Sequence, residues 1–258
     1  MQYLGQHFLK NRVAIEKIVS ALDLREGDVV VEIGPGTGAL TVELLKYPIK
    51  LIGVEKDHFF AQKLSREFQI SNLKFKIIEG DILKVLPKIK IQNLKFKIVG
   101  NIPYYLTGFL FRIISELENK PDLIVFTIQK EVAERICAKP PKINLLAASI
   151  QIWAEPEILM TLPPEDFDPP PKVDSTIIKL TPKSNIQNLK SYYQLIKIIF
   201  KQPRKNILNN LSEGLAVSKE EIQEKVKKIN LSGNERGQNL SIEKIIELSR
   251  VFPIIHNS

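Results

Sequence analysis

The stretch Val29-Val30-Val31-Glu32-Ile33-Gly34-Pro35-Gly36-Thr37-Gly38 decides the fold. Four of its first five residues are apolar and β-branched, a continuity that belongs to a strand covered on both faces. The glycines that follow let the backbone turn sharply and let a ligand approach the main chain. A helical pattern resumes near Ala39–Lys46, so the segment reads as strand, glycine turn, helix.

The same alternation extends outward. Further strands are predicted at Lys50–Val54, Phe75–Ile78, Phe96–Val99 and Leu123–Ile128, with the first strand over Asp28–Ile33. Helical periods fall between them near Phe59–Phe68, Thr107–Leu117 and Gln129–Ala138. Strands alternating with helices imply parallel βαβ units. Two later runs, Ile150–Leu159 and Ser175–Thr181, read as an antiparallel pair closing the sheet. The expectation is a doubly wound α/β domain on a mostly parallel seven-stranded sheet, ending near Pro182. Beyond it helical patterns follow at Leu189–Phe200, Lys205–Leu211, Lys219–Ile229 and Ser241–Phe252, which predicts a small all-helical domain over 183–258. Ser218 with Glu221 makes a capping box, and Ser241 stands at a similar cap position.

The 258 residues suit one large domain and a small one. Lys and Arg outnumber Asp and Glu by 37 to 29, a net charge of +8. The tail from Lys183 holds 13 basic and 7 acidic residues, hence +6 of that total. Seven basic residues and no acid occur between Ser175 and Ser212, a pattern that suits a polyanionic partner. Lys201, Arg204 and Lys205 are the candidate phosphate contacts. The single Cys137 excludes a disulfide framework and reads as a buried small hydrophobe on a helix. His7, His58 and His256 are too scattered for a metal or triad site, and no metal is assigned. Phe59 and Phe60 read as helix core. The N-terminus shows no signal peptide and no run approaches a membrane span, so a cytoplasmic protein without a membrane partner is expected.

The turn after the first strand has the spacing G-x-G-x-G, whereas the dinucleotide fingerprint is G-x-G-x-x-G. An acid, Glu32, precedes it. A pyrophosphate is disfavoured beside that carboxylate, and a cofactor carrying a sulfonium and an ammonium is favoured. The second strand ends at Glu55, 21 residues after Gly34, where an acid accepts hydrogen bonds from ribose hydroxyls. The third leads to Asp81, placed to accept from an adenine amine, with Lys56 and Ile82 flanking the ring. Three acids following three successive strands fall at one sheet edge, where such folds bind ligands.

The fourth strand runs into Asn101-Ile102-Pro103-Tyr104. Pro103 forces Ile102 toward extended backbone. The Ile102 carbonyl and the Asn101 side-chain oxygen can then accept both N–H bonds of one exocyclic amine, while Tyr104 stacks on the purine. Such an amine is a poor nucleophile because its lone pair is delocalised into the ring. Two acceptors free that lone pair, so the chemistry needs positioning rather than a strong base. The adenine must be unpaired or flipped to enter.

These motifs together resemble the ribosomal RNA adenine N6,N6-dimethyltransferase family over nearly the whole chain. The resemblance also takes in Gly5-Gln6-His7-Phe8-Leu9, Gln129-Lys130-Glu131-Val132 and Phe167-Asp168-Pro169-Pro170-Pro171-Lys172-Val173-Asp174-Ser175. It implies a Rossmann-like class I methyltransferase domain over 1–182 and an rRNA-binding helical domain over 183–258. It further implies S-adenosyl-L-methionine held by Gln6, His7, Leu9, Gly34, Gly36, Glu55, Asp81 and Asn101. Asn101, Ile102, Pro103 and Tyr104 would be the catalytic segment, with Phe167 across the target pocket from Tyr104.

Within the family one branch dimethylates two adjacent adenosines in the 3′-terminal hairpin loop of small-subunit rRNA during ribosome assembly. The other modifies one adenosine of large-subunit rRNA and confers macrolide resistance. The string from Phe200 to Leu211 and Asn239-Leu240-Ser241 resemble the first branch. Pro203 stands where that branch usually has Arg, and Ile143-Asn144-Leu145-Leu146 replaces a usual Tyr-Gly-Arg-Leu. Asn101-Ile102 in place of Asn-Leu tilts toward the second. The expectation is a monomeric enzyme acting on a partly assembled small subunit. The alternatives are the large-subunit enzyme, an RNA-binding assembly factor with little catalysis, and a small-molecule or DNA adenine methyltransferase.

Overall fold

A computed structural model describes residues 6–69, 74–89, 95–184 and 189–253. Gly5 of the N-terminal motif and His256 lie outside the described residues. In chain order the elements begin with β1 (Phe8–Leu9), α1 (Arg12–Ala21), β2 (Val29–Ile33), α2 (Ala39–Leu44) and β3 (Lys50–Glu55). Next come α3 (His58–Leu64), β4 (Phe75–Glu79), α4 (Ile82–Val85), β5 (Phe96–Asn101), α5 (Thr107–Glu116) and β6 (Leu123–Gln129). They continue with α6 (Lys130–Ile136), α7 (Leu145–Gln151), β7 (Ala154–Leu162), β8 (Phe167–Asp168) and β9 (Ser175–Pro182). Four more helices close the series: α8 (Leu189–Ile199), α9 (Ile207–Leu215), α10 (Lys219–Lys227) and α11 (Ile242–Val251).

Seven strands form one sheet in the order β4-β3-β2-β5-β6-β9-β7. The pairs from β4 through β6 are parallel, and β9 runs antiparallel to β6. All five residues of β2 are buried, as the unbroken apolar run requires. Successive strands lie on opposite sides of β2, with β3 on one flank and β5 on the other, which makes its carboxyl end the switch point of the sheet. Register aligns the strand ends: Ile33 sits opposite Val54 on one side and Gly100 on the other. Gly100 is needed there, because a Cβ would stand 2.6 Å from the Ile33 carbonyl oxygen.

Two features differ from the sequence reading of this region. The run Ile150–Leu159 begins in a helix, since Asn144 accepts from the Ala147 N–H and caps α7; the strand starts only at Ala154. A separate two-stranded ladder, β1 with β8, pairs Leu9 with Phe167 across more than 150 residues of chain.

The chain forms two compact units rather than two successive segments. One comprises the chain up to Ala133 with Pro156–Pro182, the other Glu134–Glu155 with the chain from Lys183. The stretch 134–155, assigned from sequence to the first domain, therefore packs with the C-terminal helices. The reason is visible in its side chains: Tyr192 of α8 is buried and donates to the Ala148 carbonyl of α7 at 3.0 Å. Gln151 holds the Ile136 and Ala138 carbonyls at 2.7 and 2.8 Å. Cys137 lies in the turn after α6 rather than on it, half-buried, and burial pushes its thiol up to about 11. Ser218 and Ser241 cap α10 and α11 through the Glu221 and Lys244 N–H groups. Among the described residues no helix is long and apolar enough to cross a membrane, and no cluster suits a metal.

Candidate active site

At the carboxyl ends of β2, β3 and β5 the first unit opens a cleft. Gln6, His7, Gly34, Glu55, Asp81, Asn101, Ile102, Pro103, Tyr104 and Phe167 all line it, so ten residues singled out from sequence converge there. Lys56 and Ile82, expected to flank a purine, line it too. Leu9 and Gly36 do not. Leu9 is core and reaches an adjoining void, which it shares with Glu32, Gly34 and Asn101.

The glycine turn is built on left-handed backbone, with φ of +61° at Gly34, +56° at Gly36 and +89° at Gly38. A Cβ built on Gly34 meets nothing within 4 Å, so this main chain faces open space. A Cβ on Gly36 would stand 2.7 Å from the Phe8 ring. Phe8, which sequence reasoning passed over, also meets Phe60 edge-on with centroids 5.2 Å apart. Phe59 is exposed, contrary to its reading as core, because α3 buries Ala61 and Leu64 instead.

Three acids stand at or next to the ends of β2, β3 and β4, each in a different state. Glu55 is buried and accepts from the Gly36 N–H at 2.9 Å and the Asp57 N–H at 2.8 Å. Burial raises its pKa, and these backbone donors oppose the rise. Both carboxylate oxygens keep a lone pair for a diol. Asp81 caps α4 through the Leu83 N–H and pairs with the exposed Lys56 ammonium at 3.3 Å. Glu32 lies deeper, outside the cleft lining, and accepts from the Thr41 hydroxyl at 2.7 Å. Burial pushes its carboxyl up to about 8; the Thr41 bond opposes this and the nearby Glu55 adds to it.

Asn101 ends β5 with its amide oriented by the N-terminal segment. Its Nδ2 lies 2.6 Å from the His7 carbonyl oxygen. A carbonyl only accepts, so the nitrogen must face it, and Oδ1 is left as an acceptor with no donor among the described residues. The His7 ring in turn donates from Nδ1 to the Pro169 carbonyl at 2.7 Å and stacks toward Tyr104 with centroids 6.2 Å apart. Tyr104 and Ser175 share a hydroxyl hydrogen bond of 2.8 Å, and burial raises the phenol pKa. Ile102 is buried and its N–H donates to the Thr127 carbonyl at 3.0 Å. Ser175 and Tyr105 are site residues the sequence reading missed; the Val-Asp-Ser and Tyr-Tyr strings held them without showing their direction.

Lys201, Arg204 and Lys205 belong to the second unit. Asn210 organises their loop by donating to the Ile199 and Gln202 carbonyls, each at 3.1 Å. The acid-free stretch is not acid-free in space: Glu213 pairs with Lys201 at 3.4 Å and Lys205 at 3.3 Å. Arg204 is exposed, and Lys179, also in the basic run, pairs with Glu157 at 3.0 Å.

Comparison with known proteins bears on the whole of this arrangement. A model of the family described as ribosomal RNA adenine dimethylase matches residues 2–252. The ribosomal RNA small subunit methyltransferase A of Dehalococcoides mccartyi is 38% identical over 254 residues, covering 96% of this chain and 87% of the relative. That of Fusobacterium nucleatum is 38% identical over 255 residues, covering 96% of each chain. Among solved structures, a dimethyladenosine transferase from Plasmodium falciparum superposes with a TM-score of 0.80 at 25% identity, covering 94% of this chain and 96% of that one. The 23S rRNA methyltransferase ErmE shares the fold, with a TM-score of 0.77 at 22% identity, covering 96% and 100%. The family match runs almost end to end and includes every residue that lines the cleft, and on that ground the chain belongs to the ribosomal RNA adenine dimethylase family.

Proposed function

We propose that this protein transfers methyl groups from S-adenosyl-L-methionine to N6 of two adjacent adenosines in the 3′-terminal hairpin loop of small-subunit rRNA. The observation that carries the chemistry is the Asn101 amide, held by the His7 carbonyl so that Oδ1 remains an acceptor on a residue that lines the cleft together with Tyr104. The small-subunit substrate rests on relatives 38% identical that are named small subunit methyltransferases.

The cleft suits that methyl donor. Glu55 would take the ribose hydroxyls, Asp81 the adenine amine by exchanging its exposed Lys56 pair, and Ile82 and Lys56 the ring faces. The open main chain at Gly34 and the adjoining void beside Glu32 suit the aminoacyl end. Gln6 and His7 would close the site just ahead of the N-terminal ladder, and Leu9 would bound the adjoining void. When bound, S-adenosylmethionine supplies an electrophilic methyl group on a sulfonium.

The rest of the mechanism falls to the chain itself. Asn101 Oδ1 and the Ile102 carbonyl accept the two N–H bonds of the target amine and hold its lone pair in line. Tyr104, fixed by Ser175, stacks on the base, and Phe167 lines the pocket. As the N–CH₃ bond forms and the S–CH₃ bond breaks, the two oxygens stabilise the positive charge developing on nitrogen without becoming protonated, and the methylated nitrogen then releases a proton to water. The basic loop of the second unit binds phosphates, which makes RNA affinity salt-dependent. The reading places a monomeric enzyme in the cytoplasm, acting on a partly assembled small subunit.

The test is methyl transfer from labelled S-adenosylmethionine to undermethylated 30S subunits and, separately, to naked large-subunit rRNA, with nucleoside analysis. N6,N6-dimethyladenosine with 30S subunits alone is expected. Label only on large-subunit rRNA would replace this reading with that of a large-subunit enzyme, and no label on either with that of a binding factor.

A further inference from the structure

Around Asn101-Ile102-Pro103-Tyr104 the catalytic reading accounts for every residue but leaves the next turn unexplained. Tyr105 is 56% exposed although it lines the cleft, and Phe109, four residues on, is 63% exposed. The segment is helical from Tyr104 onward, a 3₁₀ turn running into α5. With about 120° per residue in the 3₁₀ turn and about 100° in α5, residues four apart across this junction fall on the same side, separated by roughly 6–7 Å of rise. Thr107, Leu110, Phe111 and Ile114 form the buried face, so Tyr105 and Phe109 occupy the opposite one for want of anything to pack on. Gly108 lies beside them, and a Cβ built there meets nothing within 4 Å. Two large rings and an empty position thus lie on one exposed apolar side, whose Tyr105 end reaches the cleft. Arg112 follows on the same side; its ion pair with Glu116, at 3.0 Å, is exposed on both sides. An exposed pair of that kind is worth little and exchanges readily for a phosphate.

We infer that Tyr105 and Phe109 are a stacking platform for the unpaired nucleobase next to the target adenosine in the RNA chain. The inference rests on the function proposed above. A base drawn into the cleft leaves its neighbour unstacked at the mouth, and the ring surface available there belongs to these two side chains. Aromatic faces bind any base, because every base presents a π surface. Arg112 is placed to meet the connecting phosphate. The platform therefore holds the strand while the target base is out of its stack and recovers part of the unstacking cost at no expense in base specificity.

The experiment uses the full-length protein and a hairpin RNA carrying 2-aminopurine next to the target adenosine. Wild-type protein is expected to quench its fluorescence. Phe109→Ala and Phe109→Leu should lose most of the quenching and weaken RNA binding roughly 5- to 150-fold, the effect of about 1–3 kcal/mol per stacked base. Phe109→Trp should retain both, and cofactor affinity should be unchanged throughout. With 30S substrate the Phe109→Ala defect should appear in KM. Equal quenching and equal KM in Phe109→Ala overturn the platform alone. Full retention by Phe109→Leu also overturns it, since greasy contact would then suffice. Failure of the wild type to methylate adenosine in any rRNA overturns the proposed function, and the platform with it.

Discussion

Replacing Asn101 by alanine removes two interactions at once, and their magnitudes can be separated. The bond to the His7 carbonyl, at 2.6 Å and partly buried, is a neutral hydrogen bond worth about 1 kcal/mol of stability. In a chain of this size that shifts Tm by about 2–4 °C. The Oδ1 acceptor matters only when charge develops on the target nitrogen, and losing one such preorganised group costs about 10²–10³-fold in kcat. The two effects therefore part company: a nearly intact fold with a rate lower by two to three orders of magnitude. Asn101→Asp sharpens the argument. A carboxylate cannot donate to the His7 carbonyl, so two acceptors would face each other at the position of that short bond, and the side chain must turn away. Its rate should be no better than that of Asn101→Ala, even though a carboxylate is the stronger acceptor. Single-turnover methyl transfer at saturating cofactor, with thermal melts of each variant, measures both quantities. An Asn101→Ala rate within threefold of wild type, or an Asn101→Asp rate at or above it, would refute the reasoning.

Four further outcomes are expected. Glu32 keeps its proton in the folded chain up to about pH 8 but loses it near the ordinary 4.5 when unfolded. Stability then falls as pH rises between those values, by on the order of 4 kcal/mol, and Glu32→Gln should flatten the fall in denaturant midpoint from pH 5 to 8; parallel profiles would count against it. Lys97 is 9% exposed and pairs with Asp28, 14% exposed, at 2.7 Å. Lys97→Ala should cost about 3–5 kcal/mol by stranding that carboxylate, and Lys97→Met with Asp28→Asn should restore most of it; no recovery in urea unfolding would reject this account. Gly36→Ala combines a left-handed φ with a Cβ 2.7 Å from Phe8, so at least 1–2 kcal/mol (about the left-handed penalty alone) should be lost together with cofactor affinity; calorimetric titration with unchanged affinity would exclude the coupling. Arg204→Ala should lower the salt slope of RNA binding by about 1, whereas Glu213→Gln, which frees Lys201 and Lys205, should raise affinity; a Glu213→Gln protein that binds no tighter argues that the loop does not touch RNA.

The central strands β2, β3, β5 and β6 were legible because each is a short, mostly buried apolar run, and the acids near the strand ends because register aligns those ends on one edge. Two of the features that escaped reading depend on distance along the chain. The ladder of β1 with β8 contains two residues per strand, too few for any period, and exists only through long-range pairing. The direction of the Asn101 amide depends on a carbonyl 94 residues away. The helix α7 did carry a local signal, Asn144 ahead of an apolar run, which was read as a departure from a motif instead of a cap. Glu213 shows the converse error: one residue past an acid-free stretch, it returns through the turn of a helix to the lysines it had seemed to spare.

The position of β9 has a consequence for how the protein is made. The chain leaves its first unit after Ala133, contributes to the second, returns at Pro156, and only at Ser175–Pro182 delivers the strand that enters the sheet between β6 and β7. From the emergence of β6 until that strand arrives, the buried run of Leu123–Ile128 has one unpaired edge. At about 5–20 residues per second this interval lasts a few seconds on the ribosome. Exposed apolar edges of that kind template aggregation. No single cut separates the two units, and a fragment ending before Ser175 keeps the whole glycine turn yet lacks the strand that seals the sheet.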